Sequence, residues 1–268
     1  MKANEVFRIY SQNNIPLADI KTVFDGFFHI PFDSLGINGD LEIDSDLEED
    51  ILNKLLKGYP AVYLVGYDDI RGNRVFLNEN VLIPRMETIE FIYDFLVMNY
   101  DLSNKKILDL CTGSGFIAMA LKREFLSASL TGSDISKKAL EMAKKSIKYN
   151  KLDIRLLQSD FLSDIDEKFD VIISNPPYIE EDSKDVFAPF EPELALFSGK
   201  EGIDSYLSIF RDLEKHLNIK GLAFFELEST NSKRVTDLFK SFYPTGYKTE
   251  IYKDFELKDR YLLIERED

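Results

Sequence analysis

The sequence is poor in cysteine and histidine. Of its 268 residues, one is cysteine, Cys111, and two are histidine. A single cysteine excludes an intramolecular disulfide bond, and so few thiol and imidazole groups argue against a zinc site, so we expect no metal. The low cysteine content fits a reducing compartment, and we expect a cytoplasmic protein.

Long apolar runs are also lacking. No stretch approaches the roughly 18 consecutive apolar residues that a transmembrane helix needs. The first residues, MKANEVFRIYSQNN, lack the apolar core of a signal peptide. We therefore expect no interaction with a membrane.

Positive charge is scarce. The chain has 33 Lys and Arg against 48 Asp and Glu, a formal net charge of -15. Such a chain repels nucleic-acid phosphates unless it carries a local basic patch. The lysine pairs at 137–138 and 144–145 fall at helical spacing, which is typical of a solvated helix face. We expect no direct binding to nucleic acid, and a protein or small-molecule partner instead.

Hydrophobic residues are plentiful, at 44% of the chain, which is enough for one large domain or two smaller ones. Apolar residues recur three and four apart through most of the first 60 residues, which predicts helices there. Residues 67–83 then change to a two-residue period around a turn at residues 71–73, which predicts a β-hairpin. Pro84 is predicted to open a helix that runs to about Met98. We expect a helical domain with its hairpin linker over residues 1–80 and a second domain over 81–268.

From Lys106 onward, short apolar strands alternate with amphipathic helices. Predicted strands are KILDL, SASLTGS, IRLLQS, FDVIIS, GLAFFELE, KTEIYKD and RYLLIER. The last two are separated by only a few residues, which indicates an antiparallel pair at the sheet edge. The alternation predicts an α/β fold, with a doubly wound, seven-stranded and mostly parallel sheet.

Three predicted strands end in polar or glycine-rich segments. The first leads into Cys111, Thr112, Gly113, Ser114 and Gly115, where glycines allow a tight turn and a close approach to a ligand. Asp134 ends the next strand, where a carboxylate can accept both hydroxyls of a ribose. Asp160 and Phe161 follow the third, where they can contact an adenine ring. Taken singly, Asp134 fits a helix cap and Asp160 a turn residue; together, the three segments predict a nucleoside-containing cofactor.

The fourth strand leads into Asn175, Pro176, Pro177 and Tyr178. The two prolines end the strand and fix an extended backbone. The side-chain oxygen of Asn175 and the carbonyl of Pro176 are two acceptors that suit one NH₂ group, and Tyr178 can offer a flat face to a planar substrate. Holding both hydrogens of a planar nitrogen would orient that nitrogen for attack on an electrophile. In isolation, the same four residues would also fit a rigid turn.

Asn-Pro-Pro-Tyr occurs in adenine-N6 DNA methyltransferases and in protein glutamine methyltransferases, and further segments favour the second group. These are GYPAVYLVG at 58–66, NVLIPRMET at 80–88 and FEPELAL at 190–196, followed by Gly199 and a Gly-Ile-Asp at 202–204. From about residue 55 to its end, the chain resembles the peptide chain release factor N5-glutamine methyltransferase family. Cys111 stands where that family usually has glycine.

The resemblance implies a Rossmann-like class I methyltransferase that uses S-adenosylmethionine and releases S-adenosylhomocysteine. The implied substrate is the glutamine of the Gly-Gly-Gln loop of release factors, and the implied product is N5-methylglutamine. Family cofactor contacts correspond to residues 111–115, Asp134, Phe161 and Asn175, and substrate contacts to residues 175–178. The N-terminal domain would help to dock the release factor.

Two charged residues beside these motifs are further candidates. Arg85 can orient a carboxylate or a loop near the active site, or form a salt bridge at a helix start. Glu191 is predicted to shape the loop that covers the catalytic motif. Both are candidate substrate-binding residues.

Three other functions fit the same motifs. A ribosomal-protein glutamine methyltransferase would share the site and differ only in substrate. A nucleic-acid adenine-N6 methyltransferase would need a basic duplex-binding surface, against which the net charge argues. A non-catalytic protein that binds S-adenosylmethionine would not need Asn175. We expect a monomer in each case.

Overall fold

A computed structural model describes residues 1–186 and 189–267, without the side chains of residues 184–186. The chain divides into two compact units. The first comprises residues 1–68, 76–79 and 188–190, and the second comprises residues 69–75, 80–187 and 191–268.

The first unit is helical, as the spacing of its apolar residues predicted. Its α-helices are α1 (Ala3–Gln12), α2 (Leu17–Thr22), α3 (Leu35–Asn38), α4 (Ser45–Leu56) and α5 (Ala61–Val65). A π-helical turn (Val23–Phe27) continues α2, and a 3-10 turn (Phe32–Ser34) precedes α3. Asp44 caps α4, because its carboxylate accepts the backbone N–H groups of Asp46 and Leu47 at 3.0 Å each.

Fully buried apolar side chains form the core of this unit, and aromatic rings extend it. Val6, Tyr10 and Phe24 are all completely buried. Phe24 contacts Phe28 and Phe32 edge to face, at centroid distances of 5.4 and 6.1 Å, the geometry that aromatic quadrupoles favour. The unit thus has a hydrophobic core of its own.

The predicted hairpin is present. Strands β1 (Tyr67–Ile70) and β2 (Asn73–Phe76) form a two-stranded sheet. Arg71 and Gly72 between them both have positive φ, at 47° and 80°, which is the backbone that such tight turns require.

The helix that follows begins later than the sequence predicted. It runs as α6 (Met86–Glu90), a π-helical segment (Phe91–Leu96) and α7 (Val97–Asn99), so its first helical residue is Met86 and not Pro84. Arg85 is extended, with φ −84° and ψ 150°. The Ile83 N–H and the Arg85 guanidinium both bond to the Glu191 carboxylate, which holds the preceding residues outside the helix.

A seven-stranded sheet organises the second unit. Its strands are β3 (Lys106–Leu110), β4 (Ser129–Asp134), β5 (Arg155–Gln158), β6 (Phe169–Ser174), β7 (Leu217–Glu226), β8 (Tyr247–Lys253) and β9 (Asp259–Arg266). Their order is β5-β4-β3-β6-β7-β9-β8. The pairs from β5 to β7 are parallel, whereas β9 runs antiparallel to both β7 and β8. These pairings confirm the predicted mostly parallel sheet and its antiparallel edge pair.

Helices connect the strands of this sheet. They are α8 (Phe116–Glu124), α9 (Lys137–Asn150), α10 (Glu193–Leu196), α11 (Asp204–His216) and α12 (Ser232–Phe242). Short 3-10 turns lie at Glu181–Val186 and Ser229–Asn231. Phe169, Phe210 and Phe225 are completely buried between helices and sheet. Because β3, β4, β5 and β6 are parallel, the segments that follow them emerge at one edge of the sheet.

Among the residues that the structure describes, no helix has both the length and the apolar character that crossing a bilayer requires.

Candidate active site

The glycine-rich loop after β3 turns through three left-handed residues. Cys111, Gly113 and Gly115 have φ values of 63°, 55° and 82°. Glycine adopts this region without steric cost, whereas Cys111 adopts it against the preference of a residue with a Cβ atom. At Gly115 an added Cβ would also lie 3.1 Å from the Cβ of Ala143. The family glycine that Cys111 replaces therefore corresponds to a backbone position that favours glycine.

Asp134 joins this loop to the end of β4. One carboxylate oxygen accepts the Gly113 N–H at 2.9 Å, and the other accepts the Ser136 N–H at 2.9 Å. Burial raises the pKa of Asp134, although these backbone N–H groups oppose the shift. Ser136 itself caps α9, since its hydroxyl accepts the Ala139 N–H. Asp134 thus supports the helix start, and its carboxylate, with about four acceptor sites, retains capacity for a further donor.

Asp160 and Phe161 lie in a tight turn after β5. The Asp160 carbonyl accepts both the backbone N–H and the hydroxyl of Ser163, at 3.0 and 2.8 Å. Phe161 has a left-handed φ of 47°, and its carbonyl accepts the Ser159 hydroxyl at 2.7 Å. The turn interpretation of Asp160 is therefore correct, and it leaves the side chain exposed beside the cavity described below.

Asn175 follows β6 and makes one side-chain contact within the described residues. Its Nδ2 donates to Thr88 Oγ1 at 3.3 Å. The Tyr178 backbone N–H donates to Leu196 O at 3.2 Å, and Tyr178 O accepts a hydrogen bond from the Asn231 amide at 3.3 Å. The extended backbone after Asn175 is thus held on both sides by neighbouring segments.

The Tyr178 ring packs against the hydrophobic core of the sheet. Its hydroxyl donates to Glu226 Oε1 at 3.1 Å. Burial and the Glu226 charge raise the pKa of Tyr178 well above its usual value, so the phenol stays protonated. That Tyr178 stacks on substrate remains a prediction.

Glu226 is the centre of a hydrogen-bond network that the sequence analysis missed. Its Oε2 accepts the Thr88 hydroxyl at 2.6 Å and the Tyr261 hydroxyl at 2.5 Å, while its Oε1 accepts the Tyr178 hydroxyl. Burial raises the pKa of Glu226, and the three hydroxyl donors and the nearby Arg260 charge oppose that shift. A signal was present: Glu226 ends a buried strand, as Asp134 does.

Arg85 and Glu191 form an ion pair, one of the alternatives open for Arg85. The Glu191 side chain is only 3% exposed, whereas that of Arg85 is 37% exposed. Glu191 Oε1 also accepts the Ile83 N–H at 3.1 Å. Glu191 thereby fixes the segment before α6 to the segment after the catalytic motif.

A cavity of about 340 Å³ lies where these segments meet. The predicted site residues that line it are Cys111, Thr112, Gly113, Ser114, Asp134, Asp160, Phe161, Asn175 and Pro177. The other predicted site residues, Arg85, Gly115, Pro176, Tyr178 and Glu191, are not among its lining. Lining residues that the sequence analysis did not single out include Thr88, Ser198 and Gly199. The structure therefore brings all three predicted cofactor segments and Asn175 to one cavity.

Curated relatives share most of this chain. A release factor glutamine methyltransferase of Streptococcus pneumoniae is 38% identical over 207 residues, which cover 76% of this chain and 74% of that protein. The protein of the same name from Flavobacterium psychrophilum is 33% identical over 246 residues, covering 86% of each chain. The chain belongs to the release factor glutamine methyltransferase family. The family model of the methyltransferase small domain matches residues 89–189 of this family member.

Solved structures agree with the fold of this methyltransferase. A methyltransferase from Pyrococcus furiosus superposes with a TM-score of 0.56 at 19% identity, over 83% of this chain and 98% of that one. A putative methyltransferase solved in complex with S-adenosylhomocysteine, SMU.776, superposes with a TM-score of 0.56 at 13% identity, over 82% of this chain and 65% of that one. At these identities, the likeness concerns the fold alone.

Proposed function

We propose that this protein transfers a methyl group from S-adenosylmethionine to the side-chain amide nitrogen of the glutamine in the Gly-Gly-Gln motif of peptide chain release factors, giving N5-methylglutamine. One observation carries the proposal. Asn175 lines the same cavity as Asp134, Gly113 and Phe161, so an amide acceptor and a set of nucleoside-binding groups share one space. Membership of the release factor glutamine methyltransferase family supports the choice of substrate.

The residues around the cavity fit S-adenosylmethionine. A volume of about 340 Å³ falls within the range of small-molecule sites. Asp134 retains acceptor capacity for ribose hydroxyls, and Phe161 offers an apolar surface beside an adenine ring. Residues 111–115 would hold the amino-acid part through their backbone. When bound, the cofactor supplies an electrophilic methyl group.

The protein's own task is to orient a poor nucleophile. An amide nitrogen has a delocalised lone pair, and two acceptors on its hydrogens would direct that lone pair and favour positive charge on nitrogen. Asn175 Oδ1 and the Pro176 carbonyl are those acceptors in our proposal. Tyr178 stays protonated and hydrogen-bonded to Glu226. We therefore propose two roles for Tyr178: its hydroxyl anchors the backbone of the motif, and its ring offers a flat face to the substrate.

We further propose that residues 1–80 help to dock the release factor and that the protein acts as a monomer. These residues carry 7 Lys and Arg against 14 Asp and Glu. In this docking model the release factor presents a basic, RNA-contacting surface to this acidic domain, and electrostatic attraction would speed the encounter. Raising the salt concentration should then lower kcat/KM; a salt-independent kcat/KM would contradict this docking model.

A label-transfer assay tests the function. The purified protein is incubated with methyl-labelled S-adenosylmethionine and a release factor, either wild type or with its Gly-Gly-Gln glutamine changed to alanine. Duplex DNA and a ribosomal protein fraction are tested in parallel. We expect label on the wild-type factor only. Label on DNA or on a ribosomal protein, with none on the factor, would overturn the substrate, and no transfer to any of them would overturn catalysis.

A further inference from the structure

The orientation of the Asn175 carboxamide decides whether it can serve the reaction. A carboxamide has a donor end and an acceptor end of nearly the same shape, so a flip about its last torsion exchanges them. The proposed function needs the acceptor, Oδ1, to face the substrate amide. If Nδ2 faced the substrate instead, two NH₂ groups would oppose each other and no hydrogen bond could form. Some neighbouring group must therefore choose between the two orientations.

Thr88 is the group in contact with this carboxamide. Its Oγ1 lies 3.3 Å from Asn175 Nδ2, and both side chains line the cavity. A threonine hydroxyl can donate or accept, so by itself it would tolerate either orientation of an amide. Thr88 can select one orientation only if its hydroxyl donates its proton to another acceptor.

Glu226 is that acceptor. The Thr88 hydroxyl lies 2.6 Å from Glu226 Oε2, which also accepts the Tyr261 hydroxyl. In its ionised form this carboxylate can only accept hydrogen bonds, so the Thr88 proton then points to Glu226. The remaining lone pairs of Thr88 Oγ1 can then only accept, and they match the NH₂ end of Asn175. Water does not compete for these hydrogen bonds, since Thr88 is 3% exposed and Glu226 is 1% exposed.

We propose that Thr88 is a positioning residue, whose hydroxyl is directed by Glu226 and holds the Asn175 carboxamide with its NH₂ toward Thr88 and its Oδ1 available to the substrate amide. The inference deepens the proposed function and rests on it for the identity of the substrate. Among the described residues, no donor reaches Asn175 Oδ1, which agrees with an acceptor kept for a ligand.

A pair of substitutions separates positioning from general support of the network. Thr88→Val keeps the shape and removes the hydroxyl that Asn175 contacts. Tyr261→Phe is the matched control, because it also removes a hydroxyl that donates to Glu226 Oε2, at 2.5 Å. Within the described residues, Tyr261 makes no hydrogen bond to Asn175. Thr88→Ser restores a hydroxyl and should restore the orientation.

The kinetic test asks whether a substitution lowers kcat while it leaves the binding of both substrates unchanged. We expect Thr88→Val to lower kcat about 10- to 100-fold, the size of effect that misplacing one substrate-orienting group produces, with KM for the release factor and Kd for the cofactor little changed. Thr88→Ser should recover most of kcat, and Tyr261→Phe should keep it while losing thermal stability. An unchanged kcat in Thr88→Val, or an equal loss in Tyr261→Phe, would overturn the inference.

A spectroscopic readout needs no substrate. The side-chain NH₂ resonances of Asn175 are assigned in a ¹⁵N–¹H spectrum by their loss in Asn175→Ala. Thr88→Val should shift this pair and Tyr261→Phe should leave it in place; a pair that Thr88→Val does not move would refute the contact. If wild type methylates no release factor, the proposed function fails, and this spectrum still decides the role of Thr88.

Discussion

Replacing Asp109 by asparagine should change how the stability of the protein depends on pH. Asp109 lies in β3 and is completely buried. One of its oxygens accepts the Thr112 hydroxyl at 2.5 Å and the Ala118 N–H at 3.0 Å, while within the described residues the other oxygen has no partner. Burial, aided by the Asp134 charge, raises the pKa of Asp109 to about 7 in spite of those two hydrogen bonds.

The direction of the effect follows from proton linkage. Folding raises the pKa of Asp109 from the usual 3.8 to about 7, so its contribution to stability is fully present below pH 3.8 and is lost as the pH rises to about 7. At about 1.4 kcal/mol per pH unit, the free energy of unfolding falls by on the order of 4 kcal/mol between these two pKa values. An asparagine carries no charge at any pH. Asp109→Asn should therefore gain stability relative to wild type as the pH rises, by about 2 kcal/mol between roughly pH 5 and 7, because the dependence levels off near the folded pKa.

Urea unfolding of both proteins, at intervals between about pH 5 and 8, measures this difference. Asp170→Asn is the control, because Asp170 makes the same kind of strand contacts with the opposite shift. Burial is outweighed there by the Lys106 N–H and the Asn218 amide, which with nearby lysines lower the pKa of Asp170. That carboxylate stays ionised across the assay window, so the effect of Asp170→Asn should not vary with pH. A pH-independent effect of Asp109→Asn would refute the reasoning.

Three further changes test other parts of the site. Asp134→Ala should weaken cofactor binding about 10- to 100-fold, because it removes both an acceptor for the cofactor and the hydrogen bond that holds the Gly113 N–H. Calorimetry measures the Kd, and an unchanged Kd would contradict a role of Asp134 in cofactor binding. Arg85→Ala should lower the unfolding temperature more than Glu191→Gln, since only the first change leaves a buried carboxylate without its charged partner; the reverse order would contradict the burial argument. Burial raises the pKa of the Cys111 thiol, so Cys111 should react with iodoacetamide more slowly than free cysteine does. Mass spectrometry measures the rate of alkylation, and rapid alkylation would contradict a buried, protonated thiol.

The sheet could be predicted from the sequence because its strands are short apolar runs between polar turns. In β6, Val171, Ile172 and Ile173 are buried on both faces of the sheet, so this strand reads as a run of consecutive apolar residues. The close spacing of Tyr247–Lys253 and Asp259–Arg266 allows only a short connection, and hence the antiparallel pair at the edge. Asp134 and Asn175 could be placed in the site because Asp134 ends one parallel strand and Asn175 follows another, and such strands end at the same side of a sheet.

Contacts between distant residues could not be predicted in this way. Thr88 and Glu226 are 138 positions apart, and nothing local in either segment reveals that they share a hydrogen bond. The start of the helix at Met86 depends on Glu191, which lies more than 100 positions further along the chain. Tyr178 illustrates the same limit, because its sequence position gives no indication that its hydroxyl bonds to a strand end.

The most direct test of the account compares wild type with Asn175→Ala on a release factor, using mass spectrometry of the peptide that contains the Gly-Gly-Gln motif. We predict one added methyl group on the glutamine side chain with wild type. With Asn175→Ala we predict a rate lower by at least about 100-fold, whereas the cofactor Kd from calorimetry should change far less than the rate. A methyl group on another residue, or normal methylation by Asn175→Ala, would contradict the assignment of this site.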